Sequence, residues 1–344
     1  MKSNNLPDIN TIKSSSDFDY LKKLAIENNF FEHLNKYAIS TLNLSKIKNF
    51  IIACIEENEV KTKLTSKPYK IIVDPTNACN LGCPLCPTGL GQSQRKKGVL
   101  KFDDFKKIVD EAEDYCIELH LYNWGEPTLN KNLVEMLKYA KSKNIWTRIS
   151  SNLSLKYKSD YVEKLIKSGL SLLHVDIDGI DQDVYSKYRK KGDLNIVIEN
   201  LKKIKEIKKQ NNLKEPIIEL AMLAMKQNEH QHKDFFNFAE QLNADEIKIE
   251  KIQHNPNMDE DWLPDNKELI YKTYEGGEAN SNSSNEEKIK QCHWPWSGIV
   301  INWDGGTNPC CIIDDPKSDF GNAINNSIEQ IWNSTEYISS RSEF

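Results

Sequence analysis

The chain has 344 residues and a formal net charge of −5, with 38% hydrophobic and 28% charged residues. This size allows one large domain with appendages, and the negative net charge gives no electrostatic reason to expect nucleic acid as a ligand. No apolar stretch approaches the roughly 18 residues of a membrane span, so we expect no membrane partner.

The cysteines and the N-terminus together indicate a compartment. Six of the eight cysteines fall into two groups, at 79–86 and 292–311, and the first residues lead into no apolar segment of a secretion signal. Grouped cysteines in a chain without an export signal favour metal ligation over disulfides. We therefore expect a cytoplasmic protein whose thiolates bind metal.

Residues 1–66 are predicted to form a small helical region, because apolar residues recur there at helical spacing. Strand and helix patterns then alternate through residue 253. Strands are predicted at 69–73, 117–123, 145–151, 171–178, 216–225 and 245–252. Helices are predicted at 102–114, 130–143, 158–168, 181–209 and 229–242.

Six strands with helices between them predict an α/β fold, a partial (βα)6 TIM-like barrel over residues 67–253. In such folds the chemistry lies at the C-terminal ends of the strands. Several strands carry polar residues at every second position, as His174, Asp176 and Asp178 do. Helix-covered strand faces are apolar, so these alternating polar residues predict a polar lumen.

After residue 253 the alternation stops. Residues 254–290 are predicted to be a polar linker or lid, and residues 291–344 a small α+β extension. The extension is predicted to contain a strand at 299–301, a hairpin turn at Asp304-Gly305-Gly306, a returning strand at 310–313 and a helix at 327–341.

Cys79, Cys83 and Cys86 stand at C-x3-C-x2-C spacing in a loop that directly follows the first predicted strand. Three thiolates make an incomplete cage, because a structural zinc site takes four protein ligands. A [4Fe–4S] cluster also has four irons to ligate, so three thiolates would leave one iron open to a reactant.

This loop resembles the cluster loop of the radical S-adenosylmethionine (SAM) superfamily, in which the same spacing holds a [4Fe–4S] cluster and SAM occupies the open iron. Further stretches match family motifs in order: Trp124-Gly125-Glu126-Pro127, Ser150-Ser151-Asn152 and Val175-Asp176-Ile177-Asp178-Gly179. The resemblance implies SAM contacts from Tyr122, Gly125, Glu126, Ser151, Asn152, Asp176, Asp178 and Arg189.

The chemistry of these residues suits the roles that the resemblance implies. Glu126 would accept hydrogen bonds from the SAM ammonium, and Arg189 would pair with the SAM carboxylate. The ribose hydroxyls and the adenine would lie near Asp176 and Asp178.

The second cysteine group resembles the C-terminal extension called SPASM, or its shorter form, the twitch domain. Cys292, Gly305 and Cys310 fit the first half of that pattern, but no cysteine follows Cys311. The resemblance therefore implies at most one auxiliary Fe–S cluster, bound by Cys292, Cys310 and Cys311. Its fourth ligand would come from His293, Asp314, Asp315 or an exogenous group.

The resemblance also implies the reaction. An external electron donor such as flavodoxin or ferredoxin would reduce the cluster, and SAM would be cleaved to methionine and a 5′-deoxyadenosyl radical that removes a hydrogen atom from the substrate. We expect a redox-type modification of a polar small molecule, sugar- or cyclitol-like, because the lumen is polar. The N-terminal region also lacks the alternating strands of a winged-helix peptide-recognition module.

Two other hypotheses stay open. A peptide or protein maturase is the first, and a non-catalytic Fe–S binding or regulatory protein is the second. Candidates for the catalytic acid or base are Lys248, Glu250 and His254, near the end of the last strand. His120 is interpreted as a structural histidine. The N-terminal helices and the 254–290 linker are predicted as lids over the lumen.

Overall fold

The computed structural model describes residues 15–158, 160–253, 259–271 and 292–344, and its main element is a nine-stranded sheet. Six of its strands run parallel and pair in chain order. They are β1 (Lys70–Val73), β2 (Glu118–His120), β3 (Trp146–Ser151), β4 (Leu172–Asp176), β5 (Ile217–Leu223) and β6 (Glu246–Glu250). The short strands β7 (Ile252–Gln253) and β8 (Ile270–Tyr271) pair with each other in a separate two-stranded sheet. The predicted partial-barrel α/β fold is confirmed.

Helices follow these strands and supply the apolar core. They are α1 (Ser15–Glu27), α2 (Leu44–Asn58), α3 (Pro87–Leu90), α4 (Phe102–Ala112), α5 (Leu133–Ser142), α6 (Tyr161–Ile166), α7 (Gln182–Tyr188), α8 (Leu194–Gln210), α9 (His232–Gln241), α10 (Trp294–Ser297), α11 (Ile328–Trp332) and α12 (Thr335–Arg341). In α4, for example, Phe105, Ile108 and Ala112 recur at helical spacing and are buried. Within the described ranges, no helix is long and apolar enough to cross a membrane.

Two predicted helices are each divided in the structure. The helix predicted at 181–209 ends with α7, because the backbone turns at Lys191 with a φ of 69°, and the Asp193 side chain then caps α8. The helix predicted at 327–341 is α11 followed by α12, because the side chain of Ser334 caps a new helix there. Polar residues with cap geometry interrupt both periodic patterns.

The predicted returning strand at 310–313 is wrong. After β9 (Gly298–Ile301), the turn closes with a 2.8 Å hydrogen bond from the Gly305 amide to the Asn302 carbonyl, and Gly305 has a φ of 86°. The return strand therefore begins at once as β10 (Gly306–Asn308), and β11 (Gly321–Asn322) follows.

The C-terminal region continues the sheet of the barrel. β9 pairs in parallel with β1, on the edge that β2 leaves open, and β10 and β11 extend the sheet in antiparallel pairing. The strand that leads into the Cys79 loop is therefore flanked by the next strand of the barrel on one side and by a strand of the C-terminal region on the other.

The N-terminal helices pack against the residues that begin the strands. Tyr69, Ile117, Trp146 and Leu172, each at or just before the start of a strand, share one buried cluster with α1 and α2. The amide of Asn35 also donates to a carboxylate oxygen of Glu118, at 2.7 Å, at the first residue of β2. The described N-terminal helices thus pack at the base of the barrel, opposite the rim where the chemistry is predicted, and the prediction that they form a lid over the lumen is wrong.

A buried arginine joins the segment after the Cys79 loop to the β9–β10 hairpin. The Arg95 guanidinium donates to Asp304 at 2.6 and 2.7 Å and to Asp319 at 2.6 Å, and its side chain is only 3% exposed. The Trp303 indole adds a 3.0 Å hydrogen bond to the carbonyl of Lys96. These contacts hold the C-terminal hairpin against the loop that carries three cysteines.

We predict that Arg95→Ala lowers the free energy of unfolding by about 3 kcal/mol, because it leaves two partly buried carboxylates without their common partner. Lys107→Ala is the matched control. Lys107 pairs with Asp104 on the surface, at 61% exposure, and its loss is expected to cost less than about 1 kcal/mol. Denaturant unfolding of the two variants tests this, and equal effects would contradict it.

Candidate active site

The Cys79 loop leaves the C-terminal end of β1 and ends at the one-turn helix α3. Cys79, Cys83 and Cys86 lie in one apolar cluster with residues that include Leu81 and Tyr188. Burial raises the pKa of Cys83 to about 12 and also raises the pKa of Cys79. Thiols in such surroundings ionise when a bound metal supplies positive charge.

The three thiols fit a cluster better than a single ion. Two thiolates on one zinc ion, each about 2.3 Å from it, lie at most about 4.6 Å apart. In the described part of the chain, the groups whose ligand atoms all lie within 4.8 Å of one another do not include Cys79, Cys83 and Cys86. At least one pair of these sulfur atoms is therefore farther apart than two ligands of a single zinc ion.

Gly125 brings the loop after β2 against the loop after β1. A Cβ atom at Gly125 would stand 1.9 Å from the Thr76 carbonyl oxygen, so only glycine fits there. The next amide, that of Glu126, donates to the Ala78 carbonyl at 2.8 Å, one residue before Cys79. The Gly-Glu pair is thereby fixed beside the first cysteine.

The Glu126 carboxylate is buried and accepts four hydrogen bonds. One oxygen accepts from the Thr128 amide at 3.1 Å, the Thr128 hydroxyl at 2.6 Å and the Ser151 hydroxyl at 2.8 Å. The other accepts from the Asn152 amide at 2.9 Å. This carboxylate therefore joins the ends of β2 and β3. Its contact with the SAM ammonium stays a prediction, for which the second oxygen has the spare acceptor capacity.

Asn152 connects this junction to the cysteines. Its side-chain amide donates to the Asn80 side-chain oxygen at 3.0 Å and lies 3.9 Å from the Cys79 sulfur. Three predicted site residues, Cys79, Glu126 and Asn152, are thus brought together from three strand ends.

Asp178 and Arg189 form a buried ion pair at the end of β4. The Arg189 Nε donates to one oxygen of Asp178, whose other oxygen accepts from the Leu223 amide at 2.8 Å. An Arg189 Nη2 lies 3.5 Å from Asp176. Asp178 is therefore engaged with Arg189, and direct contact of either residue with SAM remains a prediction.

Tyr122 lies just after the C-terminal end of β2. Its ring stacks on His120, with 5.8 Å between ring centroids, and the Arg148 guanidinium lies 5.7 Å above it. His120 contacts Glu118 at 3.1 Å, in agreement with its predicted structural role. Tyr122 thus lines the lumen beside a charged network.

That network, which the sequence analysis did not predict, connects side chains from four strands, β3 to β6. Glu219 on β5 accepts from His174 at 2.6 Å and from Arg148 at 2.8 Å, and it also pairs with Lys248. His174 contacts Asp176 at 3.1 Å through its other ring nitrogen. The polar lumen is therefore present. Arg148 and Glu219 stand at alternating strand positions, the signal that could have identified them.

The charged groups of this network shift one another's pKa values. Burial alone would lower the pKa of His174, but Asp176 and Glu219 outweigh it and raise that pKa to about 9. Burial opposes ionisation of Glu219, yet His174, Arg148 and Lys248 lower its pKa to about 2. The imidazolium and both carboxylates are thus charged at neutral pH.

Among the predicted acid or base residues, Glu250 faces this network most directly. Its carboxylate, with His174 and Asp176, forms a group whose ligand atoms lie within 4.8 Å of one another, and burial raises the pKa of Glu250. Lys248 is held by Glu219. His254 lies outside the described residues.

The segment 259–271 lies beside the Cys79 loop. The Trp262 indole packs edge-on against Tyr188, with 5.7 Å between centroids, and its carbonyl accepts from the Lys226 amide at 3.2 Å. The rest of the predicted 254–290 lid lies outside the described residues.

The second cysteine group is more open. Cys292 and Cys311 are exposed, and the Cys310 thiol is close enough to Cys311 for a hydrogen bond that lowers the pKa of Cys310 to about 6. The candidates for a fourth ligand have other partners. These partners are Glu57 for His293, the Gln94 amide for Asp314 and the Lys317 amide for Asp315. An auxiliary site on Cys292, Cys310 and Cys311 thus stays a prediction.

Comparison with protein families gives two matches. Residues 73–239 match the family described as the radical SAM superfamily, and residues 292–344 match the iron–sulfur cluster-binding domain SPASM. The two matched segments contain the two cysteine groups.

Curated relatives are distant. The PqqA peptide cyclase of Bradyrhizobium diazoefficiens is 27% identical over 193 residues, 54% of this chain and 47% of the relative. The GTP 3′,8-cyclase of Desulforamulus reducens is 24% identical over 173 residues, 49% of this chain and 51% of the relative. The chain spans about half the length of these curated relatives.

Solved structures share the fold over more of the chain. Streptococcus suis SuiB bound to S-adenosylmethionine has a TM-score of 0.65 at 17% identity, covering 93% of this chain and 78% of that one. SuiB has also been solved bound to its precursor peptide SuiA, with a TM-score of 0.63 at 15% identity over 95% and 80% of the two chains. The protein anSMEcpe with bound AdoMet and Cp18Cys peptide has a TM-score of 0.53 at 12% identity, covering 79% of this chain and 82% of that one.

We predict that His174 makes stability fall as the pH rises. Its folded-state pKa of about 9 lies above its ordinary value of 6.5. The imidazolium therefore stabilises the fold fully below pH 6.5, and about 3 kcal/mol is lost as the pH rises to about 9. The free energy of unfolding, measured across this pH range, should show that loss in the native chain but not in His174→Gln. The control is His230→Gln, which removes an exposed histidine and should show the same loss as the native chain. Equal slopes for all three would contradict it.

Proposed function

The chain belongs to the radical SAM superfamily and carries a C-terminal SPASM domain, and on this premise we propose that it modifies a peptide. It is an enzyme, so the non-catalytic hypothesis is set aside, and its cofactors are a [4Fe–4S] cluster and SAM, as expected. When bound, these cofactors supply a 5′-deoxyadenosyl radical that removes a hydrogen atom from a substrate C–H bond.

Residues of this chain would hold and orient the cluster and SAM. Cys79, Cys83 and Cys86 would ligate the cluster, and Asn152 would border SAM from the end of β3. Arg189 would carry positive charge to the same rim, where its ion pair with Asp178 fixes the guanidinium. The protein's own part is thus orientation and exclusion of water at the C-terminal ends of the strands.

The observation that carries the peptide proposal is the fold shared with SuiB over nearly the whole chain, the SPASM region included. SuiB has been solved with a precursor peptide, anSMEcpe with a peptide, and the first relative is named a peptide cyclase. These names support a peptide over the sugar- or cyclitol-like substrate that the polar strand faces favoured.

The N-terminal helices remove one argument against a peptide. The lack of a winged-helix module in the N-terminal region argues against a peptide substrate only if that region has to bind the substrate. Here the described N-terminal residues lie at the base of the barrel. A peptide would enter from the opposite rim, between the Cys79 loop and the network around Glu219.

Glu250 is the group that we assign to the substrate. No hydrogen bond or ion pair engages its side chain among the described residues, whereas Lys248, His174 and Glu219 already satisfy one another. A half-buried carboxyl group with no hydrogen-bond donor among the described residues would accept from the peptide, through a backbone amide or a side-chain ammonium. An external flavodoxin or ferredoxin would supply the electron.

The substrate class can be tested with extracts of the source cells. The enzyme is reconstituted anaerobically, its iron is counted, and 5′-deoxyadenosine is measured with SAM, a reductant and size-fractionated extract. About four irons indicate the SAM cluster alone, and about eight add an auxiliary cluster. We expect stimulation of 5′-deoxyadenosine formation by a fraction of peptides, and its loss when that fraction is treated with protease.

Stimulation that resists protease and resides in the smallest molecules would overturn the peptide proposal in favour of a polar small molecule. A chain that binds iron but forms no 5′-deoxyadenosine with any fraction would contradict the enzymatic reading itself.

We predict that Glu250→Gln lowers kcat/KM for the stimulating substrate about tenfold to a hundredfold, because it removes a charge-assisted hydrogen bond worth about 1.5–3 kcal/mol. Slow 5′-deoxyadenosine formation without substrate should change less than about twofold. Glu240→Gln, at an exposed position of α9, is the control and should match the native enzyme. A parallel fall in the substrate-free reaction would place Glu250 at SAM instead.

A further inference from the structure

Two imidazoles and a carboxylate meet away from the active site, where the N-terminal helices contact the C-terminal domain. His33 ends a short 3-10 helix, Glu57 lies in the last turn of α2, and His293 directly precedes α10. Their ligand atoms all lie within 4.8 Å of one another. Positions far apart in the chain thus present three metal-binding groups to one point.

The geometry of the three groups is that of a partly formed coordination shell. The His33 and His293 rings are 4.9 Å apart between centroids at an interplanar angle of 70°, and the His293 Nδ1 faces a carboxylate oxygen of Glu57. The rings are not stacked, so each can direct a nitrogen toward the carboxylate.

The three side chains are unequally buried, and the His293 side of the group is open to solvent. The Glu57 side chain is 11% exposed and that of His293 is 53% exposed. An ion would therefore have a buried anionic ligand on one side and access to water on the other. Two histidines, one carboxylate and a water form a common tetrahedral set for zinc, and imidazole also suits other first-row ions.

We propose that His33, Glu57 and His293 bind one Zn²⁺ ion, with water completing the tetrahedron. The ion would join the N-terminal helices to the start of the SPASM domain, independently of the iron–sulfur chemistry. It would also engage His293 and so remove this residue from the candidates for an auxiliary-cluster ligand.

The test measures zinc in the reconstituted holoenzyme. Native enzyme, His33→Ala, Glu57→Gln, His293→Ala and the exposed control His230→Ala are each equilibrated with zinc, desalted and analysed for zinc and iron. Zinc K-edge X-ray absorption then identifies the ligands, because zinc–nitrogen and zinc–oxygen distances are about 2.0–2.2 Å and zinc–sulfur distances about 2.3 Å.

We expect one zinc with a nitrogen and oxygen shell in the native enzyme and in the control, and at least a tenfold loss of zinc affinity in the three variants with iron unchanged. Zinc should also raise the melting temperature of the native enzyme and not that of Glu57→Gln. No retained zinc, a sulfur shell, or equal zinc content in the isosteric Glu57→Gln would each overturn the proposal.

Discussion

The buried carboxylate of Glu126 is the contact on which the active-site rim depends. It gathers two amides and two hydroxyls from the ends of β2 and β3, while its own amide binds beside Cys79. A buried carboxylate is costly unless such donors satisfy it. Because its donors come from two loops, neither loop can move without leaving part of this charge unsatisfied. The rim is therefore rigid before any cofactor binds.

The charged side chains in the lumen follow the same principle, because a buried charge is costly unless an opposite charge or a hydrogen bond satisfies it. Arg148, His174 and Lys248 surround Glu219, and Asp176 is shared between His174 and Arg189. Each of these cations contacts a carboxylate, so these charges inside the barrel are paired. A substrate would then meet a polar wall with few unsatisfied groups, which confines recognition to positions such as Glu250.

Local patterns in the sequence predicted much of this arrangement. The six parallel strands, the Cys79 loop and the polar lumen follow from alternation and spacing, which act over a few residues. The contact between Lys248 and Glu219 required the pairing register of β5 and β6, and the joining of β9 to β1 required a partner more distant still. The helices at the base were misplaced because an apolar stripe indicates burial and not the end of the barrel that it covers. The return strand was misplaced because the apolar residues at 310–313 are typical of a strand. The tight turn at Gly305 instead lets the chain return earlier, as β10.

The pairing of β9 with β1 has a consequence for how the chain is made. β1 is the first strand to be synthesised, yet one of its edges stays without a hydrogen-bonding partner until Gly298–Ile301 leaves the ribosome. An exposed strand edge is a site at which other chains can add. A nascent chain that stalls between these two strands therefore carries the cysteine loop on an unfinished sheet edge. The strand that bears the loop is closed only after all six strands of the barrel have been synthesised.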